Sequence, residues 1–115
     1  MSMEYLKRCL DFAAEKRIAL VLKGGPTFIL HGNEPIYVSP RGDPGMATAG
    51  SGDLLTGLLA SLLAQKLTPL HAALLGCYIH GCAGEYAASE LTSFCMNASD
   101  ILYHFPEGFL LQEGQ

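Results

Sequence analysis

A chain of 115 residues, half of them hydrophobic, has apolar mass for one modest core and no more. Its net charge of −4 and the lack of a basic stripe exclude nucleic acid as the expected partner, so an anionic ligand must be held by local donors. Only 16% of the residues are charged, which is low for a free-standing domain and implies that part of the surface is covered by further sequence or by another copy; a homo-oligomer is expected.

Taken in chain order, residues 3–16 read as a helix with Leu6, Cys9, Leu10 and Ala13 on one face and Glu4, Lys7, Arg8, Asp11 and Glu15 elsewhere. Residues 18–22, an unbroken and partly β-branched apolar run, read as a buried strand expected in the interior of a sheet. Residues 27–30 form a second strand, residues 32–34 a turn, and residues 35–38 a third strand, so these two are expected to make a hairpin. After a glycine-rich loop, residues 52–66 form a helix with leucines around most of its circumference, which marks it as buried. Thr68 followed by Pro69 is an N-cap with proline at the first helical position, opening a long helix to about Glu90 whose small residues permit close packing. Residues 97–100 open a last short helix, 101–104, that stops at Pro106, and residues 108–115 are expected to be loosely ordered.

No stretch reads as a membrane span, because the apolar runs are broken by Gln, Lys, Gly and His. Cys9, Cys77, Cys82 and Cys95 form no CxxC pair, and the N-terminal stretch is charged and amphipathic rather than leader-like. Reduced thiols in the cytoplasm are the expectation. Cys77, His80 and Cys82 fall on one long helix with no second cluster to complete a tetrahedral set, so no metal site is expected from protein ligands. His31, His71 and His104 carry no readable role, and Met46 reads as a loop anchor.

The chemistry concentrates in Gly42-Asp43-Pro44-Gly45-Met46-Ala47-Thr48-Ala49-Gly50-Ser51-Gly52-Asp53-Leu54-Leu55-Thr56-Gly57. Glycines at 50 and 52 let successive backbone N–H groups converge at a helix start, where they are unpaired and carry the positive end of the macrodipole. Ala49, Gly50, Ser51 and Gly52 therefore make a candidate anion hole for phosphate. Asp53 beside such a hole is useful as a base for a hydroxyl that attacks the phosphate; it is equally explained as a first-turn acid favoured by the dipole. Upstream, Lys23-Gly24-Gly25-Pro26-Thr27 follows an apolar strand and offers phosphate oxygens a cation plus backbone donors; by itself it is also an ordinary strand-ending turn.

The long run resembles the signature of the ADP- or ATP-dependent NAD(P)H-hydrate dehydratases of the ribokinase-like superfamily, which reads close to G-N-P-G-M-A-T-G-G-T-G-D-V-L-T-G and continues into a leucine- and alanine-rich helix ending in A-Q, as Ala64-Gln65 does here. The segment from Lys23 to Thr27 is similar to the family's K-G-x-x-T, and His80-Gly81 with Ala83-Gly84 to its H-G-x-A-G. The resemblance spans residues 4–107 and matches the C-terminal part of the family's domain, so residues 1–115 are expected to be a single partial domain of an α/β, ribokinase-like three-layer fold. In that fold a central, mostly parallel sheet carries helices on both faces. Asp43 departs from the family's usual Asn, and a carboxylate turned toward phosphate would weaken anion binding.

The resemblance implies repair of hydrated NADH or NADPH (NADHX and NADPHX): ADP or ATP phosphorylates the ring hydroxyl, and loss of phosphate restores the double bond. Lys23, Gly24, Gly25, Pro26, Thr27 and Gly52 would hold the adenine nucleotide, Asp53 would meet the substrate as catalytic base, and Mg²⁺ would bridge phosphates without a dedicated protein cage. Two other classes stay open at this point: a small-molecule kinase of the same superfamily, which would leave a stable phosphoester, and a non-catalytic fragment that binds nucleotide or serves as an oligomerising core.

Overall fold

The structure is a computed structural model that describes residues 2–32 and 34–113. Of the expected turn at 32–34, Asn33 lies outside the described residues, as do Gly114 and Gln115 of the tail.

The first helix, α1, runs Met3–Lys16, where the sequence places it. Ser2 caps it by accepting from the Tyr5 N–H, and Arg17, at φ 56°, closes it with its N–H turned back to the Ala13 and Ala14 carbonyls. Leu6 and Ala13 are its buried side chains. Three strands follow: β1 Ala19–Leu22, β2 Thr27–His31 and β3 Tyr37–Ser39, in spatial order β1-β2-β3 and antiparallel at both pairings among the described residues. Leu20 pairs with Leu30 and Phe28 with Val38, which makes the expected β2–β3 hairpin, its third strand starting two residues beyond Pro35, a residue that cannot donate to a ladder.

Two expectations about the sheet are corrected. The 18–22 strand is not interior: β1 sits at the edge, begins at Ala19, and all four of its residues are half-buried. The interior strand is β2, whose Ile29 and Leu30 are 1% and 0% exposed. Local apolar character says that a strand wants cover, but only its neighbours decide whether it has pairing on both sides. Nor is the described sheet parallel; the chain from 19 to 39 turns back twice through short connections, which permit only antiparallel pairing.

A short 3-10 turn at Pro44–Met46 leads into α2, Ser51–Ala64, and then into α3, Pro69–Leu91. Thr68 caps α3 by accepting from the His71 N–H at 3.2 Å, with Pro69 inside the first turn as expected. α3 is the spine of the molecule and passes through all three clusters of the core. Cys77 and Ala73 meet Ile29 of β2 and Leu55 of α2; Ala72 and Ile79 meet Leu58 and Leu62; Ala83 and Ala87 meet Met96 and Ile101. Pleating turns Leu30 to the opposite face from Ile29, and α1 lies against β1 and β2, so helices cover both faces of the sheet.

The leucine-rich helix is buried on one side only, which corrects the expectation of burial around its circumference. Leu55, Leu58 and Leu62 are buried, whereas Leu63 is 46% exposed, and Asp53, Thr56, Gly57, Ala60 and Ser61 lie along an exposed face. At the C-terminal end, Asn97 and Asp100 form a reciprocal capping box for α4, Ala98–Tyr103. The chain then continues as α5, Phe105–Glu113, where a stop and a loose tail are expected. Pro106 falls in the first turn of α5, the place where a missing N–H costs nothing, and so starts a helix instead of ending one. Gly108 lets α5 approach α3: a Cβ there would lie 2.9 Å from the Ile79 carbonyl oxygen.

Candidate functional site

The loop after β1, the loop after β3 and the start of α2 enclose a cavity of about 1160 Å³ against the middle of α3. Lys23, Gly24, Gly25, Pro26 and Thr27 line one side; Pro40 to Pro44 and Met46 to Ala49 line another; Ser51, Gly52, Leu55, Cys77, His80 and Gly81 form the rest of the wall, with Val38 at the margin. Segments far apart in sequence thus converge on one space. Gly50 and Asp53 stand outside the lining.

The Lys23–Thr27 loop is closed on itself. The Gly24 N–H donates to Thr27 Oγ1 at 3.4 Å, and that hydroxyl donates to the Gly24 carbonyl at 3.2 Å. Lys23 leaves the end of β1 and carries its ammonium to the first turn of α2: a Cβ built on Gly52 would sit 2.6 Å from Lys23 Nζ. Glycine at 52 is what admits the cation there. Gly50, the N-cap, holds φ +89° with no side-chain cap, a left-handed backbone that favours glycine. Ser51 N–H turns to the Thr48 carbonyl at 3.3 Å, and Leu54 N–H to Gly50. The N–H groups of Gly52 and Asp53 have no such acceptor among the described residues, so two donors and an ammonium meet at the positive end of α2. Asp53 lies in that same turn with its side chain exposed to solvent.

His80 enters from α3 beneath this turn. It is 8% exposed, and its Nε2 lies 3.1 Å from the Ser51 carbonyl oxygen and 3.4 Å from Ser51 Oγ. A carbonyl only accepts, so Nε2 carries the proton. Burial pushes His80 below the ordinary histidine range; the hydrogen bond to Ser51 opposes this, and the Lys23 charge adds to the lowering. The neighbouring Cys77 thiol is pushed up to about 11 by burial and stays protonated.

Arg41 is a second cation of the lining, and it is tied down. Its Nε donates to Glu85 Oε2 at 2.7 Å, the Gly42 N–H donates to the same oxygen at 2.9 Å, and its guanidinium lies 5.6 Å from the centre of the Tyr78 ring. The loop reaches α3 this closely because position 81 is glycine; a Cβ there would lie 2.7 Å from the Arg41 carbonyl oxygen. Gly84, one turn on, accommodates the Met46 side chain, which packs with the Ala83, Ala87, Met96 and Ile101 cluster. Asp43 Oδ1 accepts from the Gly45 N–H at 2.8 Å, so its carboxylate caps the 3-10 turn. The H-G-x-A-G run signals the two close approaches, but the sequence carried no sign that His80 or Arg41 would reach the cavity, since each arrives through a partner 29 or 44 residues away.

A family profile described as NAD(P)H-hydrate dehydratase matches residues 3–107. The chain belongs to that family. It is 47% identical over 101 residues to the bifunctional NAD(P)H-hydrate repair enzyme of Moorella thermoacetica, a match covering 88% of this chain and 19% of that protein. It is 38% identical over 94 residues to an ADP-dependent (S)-NAD(P)H-hydrate dehydratase of Cenarchaeum symbiosum, covering 82% of this chain and 32% of the other. Among solved structures it is similar to the Bacillus subtilis ADP/ATP-dependent NAD(P)H-hydrate dehydratase co-crystallised with ATP and Mg²⁺, at a TM-score of 0.76 and 28% identity, covering 92% of this chain and 40% of that one. The chain therefore spans about a fifth of the bifunctional relative and two fifths of the solved dehydratase. Its fold is the corresponding part of the dehydratase fold. No helix among the described residues is long and apolar enough to cross a membrane.

Proposed function

We propose that this dehydratase segment is a single partial domain carrying the nucleotide site and the catalytic base of an enzyme that repairs hydrated NADH or NADPH with ADP or ATP. The observation that carries the reading is the meeting of the Lys23 ammonium with the Gly52 backbone at the start of α2, inside a cavity whose other side is the closed Lys23–Thr27 loop. Fixed cationic and N–H donors at a helix start suit a polyphosphate in the ground state and the charge that spreads over a transferred phosphoryl.

In this reading Lys23, Gly24, Gly25, Pro26, Thr27 and Gly52 hold the nucleotide, and of the expected anion hole the lining backbone of Ala49, Ser51 and Gly52 faces the transferred group, with the Gly52 N–H, which has no acceptor among the described residues, free to donate. Asp53, on the outward side of the same turn, accepts the proton of the ring hydroxyl as it attacks; loss of the phosphate then restores the ring double bond. The exposure of Asp53 fits an acceptor that arrives from the face of α2 this chain leaves open. Asp43 is the single carboxylate among the described lining residues and is occupied by the Gly45 N–H, which suits a Mg²⁺ that enters on the nucleotide, held by phosphate and water. Free thiols at Cys9, Cys77, Cys82 and Cys95 suit a cytoplasmic protein. A homo-oligomer that covers exposed side chains such as Leu63, Phe94 and Leu110 belongs to the same reading, and sedimentation at high concentration is its check.

The decisive experiment is calorimetry with ADP and ATP on the folded chain and on Lys23→Ala. Binding that weakens by about 1–3 kcal/mol in the variant is the expected result. An intact fold that takes up neither nucleotide at millimolar concentration overturns the reading.

A further inference from the structure

His80 is a titratable side chain buried beneath the turn that the nucleotide reading assigns to phosphate, and that reading leaves it without a role. Its Nε2–H donates to the Ser51 carbonyl, and its ring stands at 71° to that of Phe105 of α5 with centroids 6.5 Å apart. Charged and titratable groups approach from several elements. Lys23 comes from the end of β1, Arg41 from the loop lying on Gly81, Asp43 from across the cavity, and Cys77 from the preceding turn of α3. Arg41 is paired with Glu85, Asp43 accepts from Gly45, and the Cys77 thiol is neutral, which leaves Lys23 as the charge that bears on the ring.

We propose that His80 is a positioning residue of the nucleotide site that takes up a proton as the polyphosphate arrives: neutral, it holds the first turn of α2 in place, and charged, it shares the anion with Lys23. The inference rests on the nucleotide reading above. In the empty cavity burial and Lys23 both favour the neutral ring. A polyphosphate at the start of α2 answers the Lys23 charge and sets negative charge near the imidazole, so both influences weaken or reverse. The incoming proton, drawn from solvent, goes to Nδ1, because Nε2–H is already committed to Ser51 in either state. The linkage sign follows. A bound-state value above the free-state value makes affinity rise as pH falls through the window between them, and level off below it. The nucleotide's own terminal phosphate, which gains a proton near pH 6, works in the opposite sense.

The experiment is calorimetry of ATP binding at roughly pH 6 and pH 8, in buffers of different ionisation enthalpy, on the full chain and on His80→Gln. The Gln amide N–H replaces the Nε2 donor but takes no charge. Affinities at the higher pH should agree within about twofold; at the lower pH the native chain should gain about three- to tenfold over the variant and take up a proton that the variant does not. ATP binding with identical pH profiles and proton counts overturns the role of His80 and leaves the nucleotide reading standing. A native chain that binds no ATP at either pH overturns both. Should His80→Gln not fold, the His80 ring resonance of the native chain decides: a titration midpoint that rises with ATP supports the proposal, and one that stays put refutes it.

Discussion

Two helices built from similar apolar material lead different lives in this molecule. α3 is buried along most of its length through small residues, Ala72, Ala73, Gly76, Gly81, Ala83, Gly84 and Ala87, each close to a neighbouring element. α2 carries six leucines and buries only three of them. Burial is decided by what lies opposite, and small side chains gain it by letting backbones approach. The exposed face of α2 begins at Asp53 and runs through Thr56, Gly57, Ala60 and Ser61, so the end of the helix that meets the cavity also opens outward. One helix is the frame, and the other is the working edge.

That contrast is tested most severely at Asp53. In a complete enzyme containing this segment, Asp53→Asn should lower turnover by about 10²–10⁴-fold with nucleotide affinity unchanged or slightly higher, since the assigned base is removed and a charge beside phosphate is relieved. NADH recovery in the presence of ADP or ATP measures it; turnover near that of the native enzyme would remove Asp53 from the mechanism. These 115 residues alone, which span two fifths of the solved dehydratase, should show no measurable repair in the same assay.

The frame predicts a smaller effect of the opposite kind. Gly81→Ala puts a methyl against the Arg41 backbone, which cannot swing aside as a side chain end can. Thermal or denaturant unfolding should show a loss of about 1–3 kcal/mol. An unchanged midpoint would mean that the loop over α3 yields freely, and that Arg41 and Glu85 do not hold it. Gly57→Ala on the open face of α2 should have the smallest effect and the reverse sign. Nothing lies within 4 Å of the added methyl. The exchange in a helix interior should therefore stabilise the isolated chain by about 0.4–1 kcal/mol. Destabilisation there would show that the face is covered, as by a second copy.

The parts of the fold legible in the sequence are those written in short-range chemistry. Thr68 with Pro69, and the 97–100 segment, announce helix starts through side chains that bond to their own next turn, and α1, α3 and the β2–β3 hairpin lie close to where the chain signals them. Gly52 and the Lys23–Thr27 segment signal backbone without Cβ and a cation at element ends, and the structure does bring the Lys23 ammonium against Gly52. Other features depended on partners distant in the chain. β1 is an edge because of what does not pair with it, α5 lies close on Ile79 of α3 where Gly108 leaves room, and Leu63 is exposed because nothing described lies opposite. His80 reaches the cavity only because α3 passes beneath Ser51, and Arg41 is held only because Glu85 comes to meet it. Local propensity and capping act over a turn or two of chain and can be read in order; burial, strand neighbours and the company of a buried imidazole are set by three-dimensional packing that no short window of sequence contains.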